Sequence, residues 1–388
     1  MANLAFSIAD KPVAQAELAP PPASLDAVIW HTMEQPAAIT AWDLLAQRAS
    51  EPNPFYESWH LLPSLRALDP KGKVRLLRLE AGGRLTGLMP VRADSGYYGY
   101  PAPNLRNWAH ANCFLGAPLV ESGYEEQFWR SLLSWADNAP GKALFLHLAP
   151  LALAGPLYEA LRRVLSETDR PAVLVHREER AMLQSALSPD AYFDAAVNAK
   201  KRKELRRQSR RLAEEGALAI ERETGADGID GWTDEFLRLE ASGWKGRVGS
   251  ALAADSATAS LFTEAIRGAA SADKLERLAL TLDGRRVAML ATFLSRPGAY
   301  SYKTAYAEEL ARFSPGVLLQ RENLQFLARD GIDWCDSCAS ADHPMIDHLW
   351  RERRAIGRYS IVIGGAARRA AFRLLSLAEN RGKEPLQP

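Results

Sequence analysis

Apolar positions recur along this chain in two periods, and each change of period marks an element. Residues 41–49 place Trp42, Leu45, Ala46 and Ala49 at i, i+3, i+4 and i+7, one face of a helix. Residues 74–79 and 85–91 read as strands around Gly82-Gly83, whose access to positive φ predicts a two-residue hairpin turn. A helix is expected over 125–137, a buried strand over 143–148, a helix over 155–164 and a strand over 172–176. The layout then returns: 255–270 reads as a helix, and 275–282 and 286–294 as strands around Asp283-Gly284. With Gly83 set over Gly284, LEAGGRLTGLM lies over LTLDGRRVAML and the apolar positions fall mostly in register. Similar helices precede both hairpins and strand–helix–strand patterns follow both, which predicts an internal duplication of one unit. Hairpins mixed with strand–helix alternation predict an α/β (α+β) fold, each unit a mixed sheet flanked by helices.

The 388 residues suffice for two domains. By pattern they divide into a flexible tail over 1–26, units over 27–180 and 181–363, and a basic amphipathic tail over 364–388. No apolar run approaches the roughly 18–20 residues of a membrane span. The first residues lack the basic and apolar regions of a secretory signal, and three cysteines fit a reducing compartment, so a cytoplasmic placement is expected. A net charge of +1 argues against a dedicated nucleic-acid binder, and no DNA partner is expected.

Charge is concentrated locally. Residues 198–211 predict a helix with Lys203, Arg206, Arg207 and Arg210 on one face, a stripe able to meet phosphates, while Leu205 and Leu212 anchor it. In 366–378, Ala367, Ala370, Ala371, Leu374, Leu375 and Ala378 form an apolar face opposite Arg368, Arg369 and Arg373. That pattern suits packing on the protein, peripheral contact with the inner face of the cytoplasmic membrane, or a regulatory nucleotide such as cyclic di-GMP gripped by arginines. Cys335, Cys338, His343 and His348 have the spacing of a zinc knuckle. The segment lacks the glycines that wrap a metal, and Cys335 lies in a strand-like run, so no metal is expected.

Taken together, NPFYESWHL, GLMPV, GAPLV, LEASGWKGRVGSAL, YKTAYAEELARFSPGVLLQRENLQFL and DGIDWCDSC resemble the CelD-type, FemAB-like branch of the GNAT acyltransferases over roughly residues 30–355. The resemblance implies two tandem GNAT-like folds and transfer of an acyl group, from acetyl-CoA, to an amine. It points to relatives acting on exopolysaccharide or holdfast glycans, hence to an amino-sugar or glycan-lipid acceptor. The alternatives are aminoacyl transfer from charged tRNA and a non-catalytic, cyclic di-GMP-responsive effector of polysaccharide synthesis.

The chemistry so implied assigns residues. Arg312, Ser314, Gly316 and Val317 begin a helix over 317–328 whose N-terminus would receive the coenzyme A diphosphate, with Ser314 as N-cap and Gly316 allowing close approach. The usual GNAT loop has small residues where this chain has Pro315 and Val317. In the strand over 299–305, alternation puts Tyr300, Tyr302 and Thr304 on one face and Ser301, Lys303 and Ala305 on the other. Lys303 would stabilise an oxyanion or hold a phosphate, Tyr306 would protonate the leaving thiolate, and Asp336, or alternatively Asp333, would take the acceptor's proton. Glu240, Trp244 and Lys245 would lie near the acceptor, with Trp244 stacking on a sugar ring. Arg206 and Arg207 would attract its phosphates.

Overall fold

The computed structural model describes residues 23–379, so residues 1–22 of the tail expected over 1–26 and residues 380–388 of that expected over 364–388 lie outside them, while residues 23–26 belong to a strand and not to a tail. The first unit runs β1 (Ala23–Ile29), α1 (Pro36–Arg48), α2 (Ser58–Leu68), β2 (Arg75–Ala81), β3 (Arg84–Asp94), β4 (Asn104–Asn107) and β5 (Leu119–Val120). It continues with α3 (Glu125–Asn138), β6 (Phe145–Ala152), α4 (Pro156–Glu167) and β7 (Ala172–Leu183). Helices α5 (Pro189–Ala196) and α6 (Ala199–Ala213) lead into the second unit: β8 (Leu218–Thr224), α7 (Ile229–Ser242), α8 (Trp244–Arg247), α9 (Ser256–Ser271), β9 (Leu275–Leu282), β10 (Arg285–Ser295) and β11 (Gly298–Tyr306). Then follow α10 (Pro315–Glu322), β12 (Trp334–Asp336), β13 (Glu352–Val362) and α11 (Ala366–Glu379). Starts are chemically marked: the side chains of Asn198 and Asp255 accept from the amides of Lys201 and Thr258, capping α6 and α9.

The two hairpins are built alike beyond what the sequence pattern required. Gly82 and Gly83 turn at φ +57° and +73°, Asp283 and Gly284 at +51° and +77°. Two consecutive positive values match the right-handed twist of the strands they join. Each second strand then carries a bulge at the same offset. Leu79 faces Gly87 while Glu80 faces Leu85, leaving Thr86 over; Leu280 faces Ala288 while Thr281 faces Arg286, leaving Val287 over. A shared irregularity at equivalent positions supports the duplication independently of residue identity.

All strands among the described residues join one sheet, in the order β1-β2-β3-β4-β6-β13-β7-β12-β11-β10-β9-β8, with β5 paired to β3. Each unit contributes an antiparallel meander whose last strand pairs in parallel with the next, β4 with β6 and β11 with β12. Strand β13, which follows the second unit's β12 in the chain, lies between β6 and β7 of the first unit, antiparallel to both. The expected boundary at 180/181 falls inside β7, which pairs with β13 on one side and β12 on the other. The largest core cluster joins residues of both units, Phe55 and Trp108 with Phe262, Phe293 and Tyr302. A second lies between α6, α10 and the other face of the second meander, built on Leu205, Leu212, Leu290 and Leu319.

Two expectations need correcting. The helix expected over 317–328 stops at Glu322 and continues as a 3-10 turn, Asn323–Ala328. Helix α11 packs on the protein through Phe372, clustered with Tyr97, Phe145 and Val362, and leaves Ala367, Ala370 and Leu374 of its expected apolar face outward. No helix among the described residues is long and apolar enough to cross a membrane.

Where the units meet, Asp336 is wholly buried and accepts from Arg180 of β7, at 3.1 Å from Nε and 2.7 Å from Nη2, and from Arg354 of β13 at 2.9 Å. The amide of Cys338 donates to its other oxygen at 2.9 Å. Burial alone would raise its pKa; the two guanidiniums outweigh that and hold it below the ordinary carboxylate range. Removing this charge leaves two buried cations without a counter-ion, which typically costs about 3–5 kcal/mol. Asp336→Asn is expected to lose stability on that scale, read from the urea midpoint; a loss below about 1 kcal/mol would show that the arginines find other partners.

Candidate functional site

Strand β11 pairs with β10 along most of its length but with β12 only at Gly298, Ala299 and Tyr300. Past Tyr300 no strand among the described residues pairs on that side, because β12 ends at Asp336. The wedge between is a cleft of about 520 Å³. Ser301–Tyr306 form one wall, residues 337–346 the other; Glu240, Trp244 and Lys245 line the α7–α8 side, and Phe114 comes from the first unit.

The expected alternation along β11 fails, for a local reason. Ala291 faces Lys303 while Thr292 faces Ser301, so Tyr302 is an extra, bulged residue. The bulge re-aims its neighbours. Ser301 accepts from Asn323 Nδ2 at 3.1 Å and Thr304 from Gln320 Nε2 at 3.4 Å, both on the α10 side. Tyr302 and Lys303 share the opposite side, with Lys303 Nζ 5.6 Å from the Tyr302 ring and 5.0 Å from that of Phe114.

Electrostatics in the cleft are uneven. Lys245 is paired with Glu240 at 2.6 Å, and Glu240, nearly buried, also accepts from the amide of Leu252 at 2.8 Å. Lys303 lies against the aromatic faces of Phe114 and Tyr302, with Glu240 the carboxylate that favours its charge. Burial, followed by the charge of Lys245, pulls its pKa down to about 8. Trp244 is half exposed, and its amide donates to Glu308 Oε1 at 2.5 Å.

Five residues expected from the sequence are therefore brought together: Glu240, Trp244, Lys245, Lys303 and Tyr306. The others stand apart. Asp336, expected as a base, is sealed between two arginines and is not part of the cleft wall. Arg312 is exposed and turned to Glu215 at 2.8 Å. Ser314 takes a left-handed conformation (φ +54°) and its side chain caps nothing; its carbonyl accepts the amides of Val317 and Leu318 at 3.0 and 3.1 Å. A Cβ on Gly316 would lie 2.8 Å from Met345 Sδ and 3.3 Å from Tyr306, so this glycine serves close packing of α10 where phosphate access was expected. Arg206 and Arg207 are exposed on α6, outside the cleft wall. His343, considered above only as a metal ligand, lines the cleft. No group of three His, Cys, Asp or Glu side chains among the described residues is placed to hold a metal.

The first unit's counterpart, between β4 and β6, is filled. Asn107 donates to the Gly116 carbonyl and accepts from the Ala149 amide, each at 2.8 Å, and Gly116 donates to the Pro150 carbonyl at 2.7 Å. A Cβ on Gly116 would meet Asn107 at 2.2 Å, so the strand gap there is closed by protein.

One consequence is directly measurable. Side-chain NMR titration is expected to show Lys303 deprotonating near pH 8; an inflection near its ordinary 10.5 would mean that its ammonium is solvated, contrary to this geometry.

Residues 199–343 match the family of acetyltransferase (GNAT) domains, a span that opens at α6 and ends in the cleft at His343. No curated protein matches the chain by sequence. Among solved structures the fold resembles FemX, at 10% identity and a TM-score of 0.56 over 87% of this chain and 98% of that one. It also resembles a Bacteroides thetaiotaomicron protein of unknown function, at 12% identity and a TM-score of 0.53 over 84% and 97%. Residues 199–343, which carry the open strand gap, are thus similar to the acetyltransferase (GNAT) domains, and the chain as a whole shares its fold with FemX.

Proposed function

We propose that the chain transfers an acyl group from a coenzyme A thioester to the amine of an amino sugar in a cell-surface glycan precursor. The observation that carries this reading is the parting of β11 from β12 after Tyr300, beside the Tyr302 bulge, which leaves a free strand edge and the Lys303 ammonium facing one cleft. An extended pantetheine arm can add to such an edge as a strand does. The Lys303 ammonium stabilises the oxygen that becomes negative when the amine attacks; losing one such donor typically costs about 2.7–4 kcal/mol of barrier. Tyr306 supplies the proton to the departing thiolate. Trp244, half exposed at the rim, offers a face for a sugar ring.

A second reading, aminoacyl transfer from charged tRNA, is favoured by a specific pair of observations. The start of α10 is covered by Met345 and has two amides committed to Ser314, which leaves little for a diphosphate. Meanwhile α6 exposes Lys203, Arg206, Arg207 and Arg210, a stripe suited to an RNA backbone. At the other end of the chain, Ala367, Ala370 and Leu374 face outward beside Arg369 and Arg373 of α11. That face supports peripheral contact with an anionic membrane, and the same arginines are the candidates for cyclic di-GMP.

The deciding experiment is calorimetric titration with acetyl-CoA beside charged tRNA, followed by transfer to glucosamine. Saturable acetyl-CoA binding with ribonuclease-insensitive transfer is the expected result, and ribonuclease-sensitive transfer would establish the second reading. Because Lys303 must be charged to stabilise the oxyanion, kcat is expected to fall as pH rises through about 8. Lys303→Arg, charged throughout, should remove that alkaline limb, and an unchanged limb would assign it to another group. Replacing Lys203, Arg206, Arg207 and Arg210 by alanine should raise the KM of a polyanionic substrate about tenfold or more and flatten its salt dependence; an unchanged KM would make α6 a solvated helix only.

A further inference from the structure

With Asp336 sealed between arginines and Glu240 committed to Lys245, the cleft still needs a group to free the acceptor's lone pair. We infer that His343 takes the proton of the acceptor ammonium through Nε2, and that Asp347, one helical turn on, orients its ring. The inference deepens the acyl-transfer reading and rests on it.

The geometry is local. The amides of Ile346 and Asp347 both donate to the His343 carbonyl, at 3.1 and 3.0 Å, and that of Trp350 to Ile346 at 2.9 Å. The segment therefore makes two successive turns of helical type, which bring residue i+4 onto the side of residue i. His343 Nδ1 and Asp347 Oδ1 are both buried, and neither has a hydrogen-bond partner. Leaving a buried atom without a hydrogen bond is unfavourable by about 1–3 kcal/mol, and turning the imidazole and the carboxylate toward each other would satisfy both. Arg353 of β13 donates to the Asp347 backbone carbonyl at 3.4 Å, and its guanidinium lies 3.8 Å from Oδ1.

With Nδ1–H directed at the carboxylate, the lone pair lies on Nε2, and His343 is part of the cleft wall. The charged and titratable groups sharing that cleft are Glu240 of α7, Lys245 of α8, Lys303 and Tyr306 of β11, and Glu308 beyond it. Burial, the largest influence, and Lys245 lower the His343 pKa while Asp347 raises it; the net direction is down, so the ring is neutral at physiological pH.

In the step itself, the ammonium gives one proton to Nε2 and its freed lone pair forms the C–N bond. The C–S bond breaks with its electron pair on sulfur, which takes the Tyr306 proton. Tyr306 recovers a proton from the tetrahedral nitrogen, and the imidazolium releases its own to water. One amide, one free thiol and one proton leave per turnover.

The test has two arms on the full chain. Nitrogen NMR of histidine-labelled protein should show His343 as the Nδ1–H tautomer, lost or mixed in Asp347→Asn. In acetyl transfer to glucosamine, His343→Ala should lower kcat about 10²–10⁴-fold with the acetyl-CoA KM within about threefold, and added imidazole should restore part of it. Asp347→Asn should lower kcat less and shift the acidic limb of its pH profile, which a purely structural residue would not do. An Nε2–H tautomer in wild type, or a His343→Ala enzyme keeping more than about a tenth of kcat, would overturn the assignment. A wild type with the stated tautomer that accepts neither acetyl-CoA nor charged tRNA supports the dyad while overturning the substrate reading.

Discussion

A single carboxylate with two guanidiniums sets the frame for everything else. Asp336 ends β12, Arg180 belongs to β7 and Arg354 to β13, so one buried cluster fixes three central strands relative to one another. Arg180 also donates to the Phe114 carbonyl at 2.7 Å, which carries the constraint to the aromatic ring beneath Lys303. Because β12 is held at Asp336, the place where β11 loses its partner is fixed too. The cleft is thus positioned by a charge cluster that takes no part in its chemistry. Desolvating three ions is unfavourable unless every one is paired, and such clusters act as all-or-none fasteners.

The duplicated units use the same strand gap to opposite ends. In the second, the gap stays open and acquires a bulge that turns Tyr302 and Lys303 to one side. In the first, Asn107 and Gly116 close it with hydrogen bonds the strands would otherwise lack. A parallel pair that diverges leaves backbone donors and acceptors unmatched, and only a ligand, water or polar side chains can satisfy them. The first unit satisfies them internally and contributes Phe114 to its neighbour's cleft.

Local chemistry was legible in the sequence and long-range geometry was not. The hairpins could be read because glycine and aspartate at a turn declare positive φ within a few residues. Glu240, Trp244, Lys245, Lys303 and Tyr306 could be gathered because they flank strand and helix ends around one segment. The β11 alternation misled because a bulge depends on the partner strand, about which residues 299–305 say nothing. Asp336 misled for a related reason: an acid at a strand end looks available until distant arginines are brought onto it. Gly316 misled because a glycine that admits phosphate and one that admits a methionine look alike in sequence. His343 was visible only as part of a cysteine–histidine spacing, since its link with Asp347 lies in the winding of an irregular segment.

Strand β13 also bears on how the chain is made. It fills the place between β6 and β7, and it is synthesised after every other strand described. Until residue 362 has emerged, the first half carries two strands with open edges, a state prone to wrong pairing. The amino-terminal half therefore cannot mature ahead of the carboxyl-terminal half, as sequential domains often do. Its completion is a late, non-local event that closes both halves together, and a truncated product released early would expose those edges for chaperones and proteases to find.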